Sequence, residues 1–292
     1  MKIHVPVSQK ELTQCVEGLL AHAQSAPVII GLDTEFWRVR TYWPQLCLMQ
    51  VCVANDVYII DPTLLDVSVI APVLVHDNII KIMHAADQDC EIFMHDFNVT
   101  PVSVLDTQIA SRLLNMGRQV GYASLVMEVM AVTLDKSEQH GKWRDRPLTE
   151  EQTSYAARDV LYLPQLYHFF EKRLTEENLI NAWRVQSGEM ILHVKNSQDP
   201  ANVWRRWNNN RYSPPMRERL KILAEFRERL AQERNIPRTR IFTDEALVSL
   251  IMNPVESKET LKRLKGVSSW LPAHEAFWEL IVSMRTLENS TS

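Results

Sequence analysis

The sequence predicts an α/β domain with a mixed sheet, followed by an all-α region. Between Val28 and about Leu174, short apolar runs of strand length alternate with stretches of helical periodicity. The strands cluster first and strand–helix alternation follows, an order that favours a mixed sheet. Near Asn196–Pro200 the pattern breaks, and the chain beyond it is helical in character. We therefore predict one domain over residues 1–200 and a helical domain over residues 201–292.

Five short apolar runs are predicted to be the strands. They are Val28–Asp33, Leu46–Ala54, Val57–Asp61, Ile80–Met83 and Val102–Leu105. Helices are predicted over Asp66–Val75 and from about Ala86 to Phe97, and Asp106 is placed to cap a further one. In the C-terminal region, Leu220–Glu233 is the clearest helix.

Composition excludes several classes of protein. Only seven of the 292 residues are glycine, and no pair has the spacing of a dinucleotide fingerprint or a P-loop, so no nucleotide cofactor is expected. Cys47 and Cys52, five residues apart in a predicted strand, would point to opposite faces, and zinc or disulfides are not expected. There is no apolar signal core and no stretch long and apolar enough for a bilayer. We expect a cytoplasmic protein without membrane contact.

One segment concentrates positive charge. Trp204–Arg240 carries a net charge of +7, which leaves −11 on the rest of a chain of net charge −4. A basic segment on an acidic protein suggests a localised contact with a polyanion. Its glutamates and arginines also interleave at helical spacing, so a solvated, internally paired helix face explains the charges equally well.

The first acidic motif follows the first predicted strand. Asp33 and Glu35 are separated by one residue, so they project from the same face, about 6–7 Å apart along the strand. Two carboxylates aimed at one place repel unless a cation lies between them, and oxygen ligands suit Mg²⁺ or Mn²⁺. The alternative is a strand that ends in a solvated acidic turn.

The second motif surrounds Asp89. Asp89 shares a helix face with apolar Ile92 and Phe93, which turns its carboxylate inward, whereas Asp87 is expected to face solvent. The alternative is that either aspartate caps the helix. His84 is more readily explained as a packed or hydrogen-bonded side chain, and it is also counted as a candidate substrate contact.

The third motif pairs a phenol with a carboxylate. Tyr155 and Asp159 are i,i+4 neighbours on a helix that begins with the capping-box pattern of Thr149 and Gln152. The acid can hold a metal while the phenol hydrogen-bonds a nearby water. The alternative is an ordinary amphipathic helix, which Pro164 should kink just beyond this pair.

Together these residues resemble the DEDDy pattern of 3′-to-5′ exonucleases, and the flanking segments are similar to the ribonuclease D family in particular. The similar segments are Arg40–Leu46, Leu134–Glu138, Trp143, Arg146–Leu148 and Tyr155–Leu163. The likeness covers roughly residues 1–200. The tail resembles the HRDC helical domain that follows the nuclease in that family, through Leu220–Arg229, Pro237–Arg238, Asp244–Leu250 and Leu261–Gly266.

The resemblance implies a fold, a reaction and a set of roles. The fold would be ribonuclease H-like, a mixed sheet flanked by helices. Asp33, Glu35, Asp89 and Asp159 would hold two divalent ions, Mg²⁺ or Mn²⁺, and Tyr155 would orient the attacking water. The substrate would be RNA with a free 3′ end, notably tRNA precursors, shortened by one nucleoside 5′-monophosphate at a time. Longer members carry two HRDC domains, whereas the residues after Pro200 leave room for one.

Further substrate contacts are open to two interpretations. Lys136 and Arg146 could meet phosphate or pair with neighbouring acids. Phe36 and Trp37 directly follow the acidic pair, and they could stack the terminal base or belong to the core. Two alternative functions also remain: a DNA proofreading-type 3′-to-5′ exonuclease, because both nucleic acids offer the same phosphodiester, and a non-catalytic RNA-binding module.

Overall fold

The chain folds into two compact units. A computed structural model describes residues 2–135, 137–138, 141–207, 211–253 and 255–289. The first unit comprises Met1–Trp37 and Pro44–Lys195, and the second comprises Arg38–Trp43 and Asn196–Ser292. A short segment between two strands of the first unit thus belongs to the helical second unit.

A six-stranded mixed sheet forms the centre of the first unit. The strand order is β1-β4-β3-β2-β5-β6. The β2–β3 and β3–β4 pairs are antiparallel, whereas the β1–β4, β2–β5 and β5–β6 pairs are parallel. The strands are β1 (Lys2–His4), β2 (Val28–Trp37), β3 (Gln45–Val53), β4 (Asp56–Ile60), β5 (Ile79–Met83) and β6 (Val104–Asp106). The predicted mixed sheet flanked by helices is confirmed.

Eight α-helices are described in the first part of the chain. They are α1 (Gln9–Ser25), α2 (Ala71–Leu74), α3 (Asp87–Asp96), α4 (Thr107–Leu113), α5 (Tyr122–Met130), α6 (Glu150–Leu161), α7 (Leu163–Glu176) and α8 (Ile180–Gln198). Asp106 caps α4 by accepting hydrogen bonds from the amides of Gln108 and Ile109, as its position predicts. Within the described residues, no helix combines the length and the apolar character that crossing a membrane requires.

Helices cover both faces of the sheet, which therefore separates two apolar cores. On one face, Leu12 of α1 and Phe93 of α3 pack with Met49 of β3. On the other face, Ala157 of α6 packs with Leu48 of β3 in a second core. Neighbouring residues of β3 enter different cores because side chains of a strand alternate between its faces.

Two predicted helices differ from the observed ones. Residues Asp66–Val75 form a 3₁₀ turn, Val67–Ile70, followed by the single-turn helix α2. One continuous helix is disfavoured because the stretch is rich in β-branched residues and because Pro72, which lies in the first turn of α2, would be in the interior of the longer helix. At Pro164 the chain does not kink within one helix. Instead α6 ends at Leu161 and α7 begins at Leu163, with the proline in its first turn, where its missing N–H is tolerated.

The prediction that Cys47 and Cys52 face opposite sides of their strand is wrong. Both thiols are buried in the core that contains Leu48. The register explains this, because Glu35 pairs with Leu48 and Phe36 pairs with Leu46, so Cys47 is an extra residue of β3. Such a β-bulge shifts the alternation of side chains by one position.

Gly31 allows an unusually close contact between β2 and the α6–α7 junction. An alanine Cβ at this position would lie 2.6 Å from the carbonyl oxygen of Val160 and 2.9 Å from the Cβ of Leu163. Only a residue without a side chain fits there. Since Gly31 precedes Asp33 by two residues, this contact brings the end of α6 beside the predicted acidic pair.

The second unit is helical and has its own core. Its α-helices are α9 (Pro214–Glu233), α10 (Asp244–Met252), α11 (Lys258–Arg263) and α12 (Glu275–Asn289). Leu220, Leu247 and Phe277 are buried at its centre. The predicted helix Leu220–Glu233 is confirmed as the C-terminal part of α9.

The segment Arg38–Trp43 is anchored in this second core. The ring of Tyr42 is buried there, and its hydroxyl donates a hydrogen bond to the carboxylate of Glu228. The amides of Tyr42 and Trp43 both donate to the Oδ1 of Asn235, at 3.1 and 2.9 Å. Glu228 is itself buried and lies 3.1 Å from the guanidinium of Arg238. Burial and paired charges thus fix this short segment among the C-terminal helices.

Candidate active site

Three carboxylates from two elements converge at one point. Asp33 and Glu35 project from the same face of β2, and Asp159 lies in the last turns of α6. One ligand oxygen from each lies within 4.8 Å of the others. The alternation of side chains along β2 aligns the first two acids, and the missing side chain at Gly31 lets α6 bring in the third. Such a set of hard oxygen donors fits a divalent cation.

Asp89 lies beside this triad without belonging to it. Its carboxylate is buried at the start of α3 and accepts a hydrogen bond from the hydroxyl of Thr34. Asp87 is exposed, as the helical faces predict. The alternative of a side-chain cap at this helix start is not observed. The sequence pattern did not predict the role of Thr34, because alternation along β2 places its side chain on the face opposite to Asp33 and Glu35.

The ionised forms of the carboxylates in this site are unfavourable, and their pKa values are raised. Burial and the nearby carboxylates of Asp159 and Asp89 raise the pKa of Glu35 to about 9. Burial raises the pKa of Asp159 to about 7, although the hydrogen bond from Tyr155 opposes the shift. The pKa of Asp33 is also well above its ordinary range, because of burial and repulsion from Asp89, Asp159 and Glu35. Protons or cations are therefore needed to hold these acids together.

Tyr155 is bound to Asp159 directly. Its hydroxyl donates a hydrogen bond to that carboxylate from one turn earlier on α6. Burial, followed by the charges of Asp159 and Glu35, raises the pKa of Tyr155, so the phenol stays protonated. The predicted capping box is present at the start of α6, where Thr149 and Gln152 satisfy each other's backbone amides. The centre of the Trp143 ring lies 5.9 Å from the centre of the Tyr155 ring.

The other predicted substrate contacts occupy different environments. Phe36 and Trp37 are partly buried and pack against the cores on opposite faces of the sheet. The guanidinium of Arg144 lies 5.6 Å from the ring centre of Trp37. His84 is hydrogen-bonded through Nδ1 to the Thr107 hydroxyl at 2.9 Å. Lys136 lies outside the described residues.

Arg146 is fully engaged within the protein. Two of its N–H groups donate to the carboxylate of Asp61, two donate to the carbonyls of Trp143 and Asp145, and one donates to the carbonyl of Cys47. The ion pair with Asp61, rather than with a neighbouring acid, fastens the loop before α6 to strands β3 and β4. All five N–H groups of this guanidinium are thus used within the protein, which does not favour a contact with phosphate. A substrate contact by Arg146 stays a prediction.

Several basic side chains of the segment Trp204–Arg240 make contacts within the protein. Arg227 is buried and lies 2.8 Å from the carboxylate of Asp244, and Arg206 donates to the carbonyl of Ser197 at 2.8 Å. Lys221 lies 5.1 Å from the ring centre of Trp204. Internal pairing thus accounts for part of the positive charge.

The raised pKa values predict how the stability of the metal-free protein varies with pH. Because Glu35 and Asp159 hold protons in the folded protein to about pH 9 and 7, whereas their ordinary pKa values are 4.5 and 3.8, the folded state binds more protons than the unfolded state. The free energy of unfolding in EDTA should therefore fall as the pH rises from about 4 to 9. Denaturant unfolding at several pH values measures this.

Glu35→Gln provides the control for this pH dependence. The neutral amide removes one ionisation, so the stability of the variant should fall less steeply over the upper part of that range. Added Mn²⁺ should flatten the wild-type curve, because a cation replaces the protons. A wild-type stability that rises with pH relative to the variant would contradict the electrostatic description of the site.

Comparison with known proteins places this chain in a defined class. Residues 4–175, which contain all four acids and Tyr155, match the family model for 3′-5′ exonucleases, and residues 216–274 match the model for HRDC domains. The fold and the acidic site thus define a 3′-5′ exonuclease that carries an HRDC domain.

Individual relatives show which family of 3′-5′ exonucleases the chain belongs to. The chain is 36% identical over 275 residues to ribonuclease D of Zymomonas mobilis, which covers 92% of this chain and 69% of that protein. It is also similar to the crystal structure of Escherichia coli RNase D, described as an exoribonuclease involved in structured RNA processing. That structure is 30% identical, with a TM-score of 0.85, over 98% of this chain and 76% of the other. The chain belongs to the ribonuclease D family, and it is a 3′-5′ exoribonuclease.

Proposed function

We propose that this enzyme releases nucleoside 5′-monophosphates from the 3′ ends of RNA at the Asp33, Glu35 and Asp159 triad, with Asp89 completing the site. The observation that carries the proposal is the convergence of three carboxylate oxygens within 4.8 Å, although each acid has a pKa raised by burial. A solvated acidic turn would not bury repelling charges in this way.

The donor set supports divalent cations, and we propose two of them, Mg²⁺ or Mn²⁺. Brucella melitensis NrnC has the same fold, with a TM-score of 0.56 at 22% identity, and was solved with bound Mg²⁺. Asp33, Glu35 and Asp159 would hold one ion, and Asp33 with Asp89 would hold the other. Bound cations would neutralise the phosphodiester and activate a water for in-line attack.

Two hydroxyl groups of the protein hold carboxylates of the site in fixed directions. The hydroxyl of Tyr155 stays protonated and donates its one hydrogen to the carboxylate of Asp159, so toward an attacking water it would act as a hydrogen-bond acceptor. Thr34 holds the carboxylate of Asp89 from β2, so that acid keeps a fixed direction. Because a strand and two helices fix these side chains, the side chains lose little conformational entropy when the substrate binds.

The natural substrate that we propose is a tRNA precursor, which the enzyme would trim in the cytoplasm. Support comes from the similarity to an exoribonuclease involved in structured RNA processing. In the second unit, a cavity of about 470 Å³ is lined by Arg40, Arg240, Ser268, Ser269 and Trp270, among others. Guanidinium groups beside an aromatic ring offer contacts to RNA phosphates and bases.

A matched set of oligonucleotides tests the proposed reaction. Single-stranded RNA and DNA of one sequence, each with a free or phosphate-blocked 3′ end, are incubated with Mg²⁺ or with EDTA. We expect stepwise shortening of the free-ended RNA, 5′-monophosphate products, and no reaction in EDTA. Faster digestion of DNA would favour the proofreading-type alternative. Binding without cleavage would favour an RNA-binding module.

A further inference from the structure

Tyr122 inserts its hydroxyl into the end of the helix that carries Asp159. Tyr122 is the first residue of α5. Its ring is partly buried, and the ring centre lies 5.7 Å from the ring centre of His84. Its hydroxyl donates to the carbonyl of Arg158 at 3.1 Å and accepts from the amide of Tyr162 at 3.3 Å. Burial raises the pKa of Tyr122, so the phenol remains a donor.

The two groups that Tyr122 contacts would normally bond to each other. Arg158 and Tyr162 are four residues apart, the spacing of a backbone hydrogen bond in an α-helix. Here the amide of Tyr162 is directed to the carbonyl of Val160 and to Tyr122 instead. An inserted side chain is one of the known causes of a break in a helix. The break coincides with the end of α6 and the start of α7.

Asp159 lies inside the turn that Tyr122 holds open. The same turn rests on Gly31 through the carbonyl of Val160, so it is held from two sides by β2 and by α5. We infer that Tyr122 is a positioning residue, which fixes the last turn of α6 and so sets the distance of Asp159 from Asp33 and Glu35. The inference rests on the proposed role of these acids in holding divalent cations.

Tyr122→Phe tests this role because it keeps the ring and removes only the hydroxyl. The freed turn can close its own hydrogen bond, which would shift Asp159. We expect the dissociation constant for Mn²⁺, measured by calorimetry without RNA, to rise about tenfold, as is usual when groups behind metal ligands are removed. The rate of RNA trimming should fall by a similar factor at low Mn²⁺ and partly recover at high Mn²⁺.

Tyr58→Phe is the matched control. Tyr58 is also a partly buried tyrosine of the first unit, stacked on His4 in β1 and remote in sequence from the acidic motifs. Its variant should bind Mn²⁺ and trim RNA as the wild type does. An unchanged Mn²⁺ affinity in Tyr122→Phe would overturn the inference.

Two further measurements keep the outcome interpretable. If Tyr122→Phe does not fold, as judged by thermal unfolding in EDTA, amide exchange in the wild type replaces it. The Tyr162 amide should then exchange as slowly as amides inside α6, and rapid exchange would contradict the inserted hydroxyl. If the wild type itself neither binds Mn²⁺ nor trims RNA, the proposed function fails, whereas equal Mn²⁺ binding by an active wild type and the variant rejects only the role of Tyr122.

Discussion

Replacing Asp33 by asparagine is expected to slow RNA trimming by about two to four orders of magnitude, which corresponds to a loss of several kcal/mol of transition-state stabilisation. Asp33 is the acid whose surroundings include all three other carboxylates, so its loss affects both proposed cation positions. The measurement is the rate of monophosphate release from a free-ended RNA at saturating Mg²⁺.

The same variant should be more stable than the wild type when metal is absent. Asparagine has the shape of aspartate without its charge, and it removes one member of a repelling cluster. Thermal unfolding in EDTA therefore separates a catalytic loss from a folding defect. Asp87→Asn is the matched control, because Asp87 is exposed on the same helix as Asp89 and should leave the trimming rate unchanged. Wild-type trimming by Asp33→Asn would refute the assignment of the site.

Gly31→Ala is expected to impair both stability and activity. The new methyl group would meet the carbonyl of Val160 at 2.6 Å, so α6 must move away from β2. Overpacking of this kind costs about 1–3 kcal/mol of the free energy of unfolding. A displacement of Asp159 by about 1 Å would lower the trimming rate by about 100-fold. Chemical denaturation and the RNA assay measure the two effects.

Gly18→Ala is the control, with the opposite expected sign. Gly18 lies within α1, and nothing approaches its missing Cβ within 4 Å. Alanine should therefore stabilise the protein by about 0.5–1 kcal/mol through its higher helix propensity. A Gly31→Ala variant as stable and active as this control would show that β2 and α6 tolerate a wider separation.

Local sequence patterns predicted the features that depend on neighbouring residues. Alternation along a strand aligned Asp33 with Glu35, and helical faces distinguished buried Asp89 from exposed Asp87. The capping box at Thr149 also followed from its spacing. The positions of five of the six strands were predicted to within a few residues, because short apolar runs bounded by polar residues carry that information, whereas the short strand β1 was not predicted.

Contacts between distant residues could not be predicted in this way. Arg146 and Asp61 are 85 residues apart, and nothing in either local pattern indicates the partner. The bulge at Cys47 shifts a strand by one residue without changing its apolar composition. The close approach at Gly31 depends on how a helix packs against a strand, and a glycine in a sequence does not reveal which element lies over it.

The anchoring of Arg38–Trp43 among the C-terminal helices affects how deletion variants should be designed. A fragment that ends near residue 195 would keep this segment but lose Asn235 and Glu228, the hydrogen-bond partners of Tyr42. A buried aromatic ring would become exposed directly after the strand that carries Asp33 and Glu35. Loss of activity in such a fragment would therefore not show that the helices bind RNA. A fragment that also replaces residues 38–43 with a short polar loop would allow that conclusion.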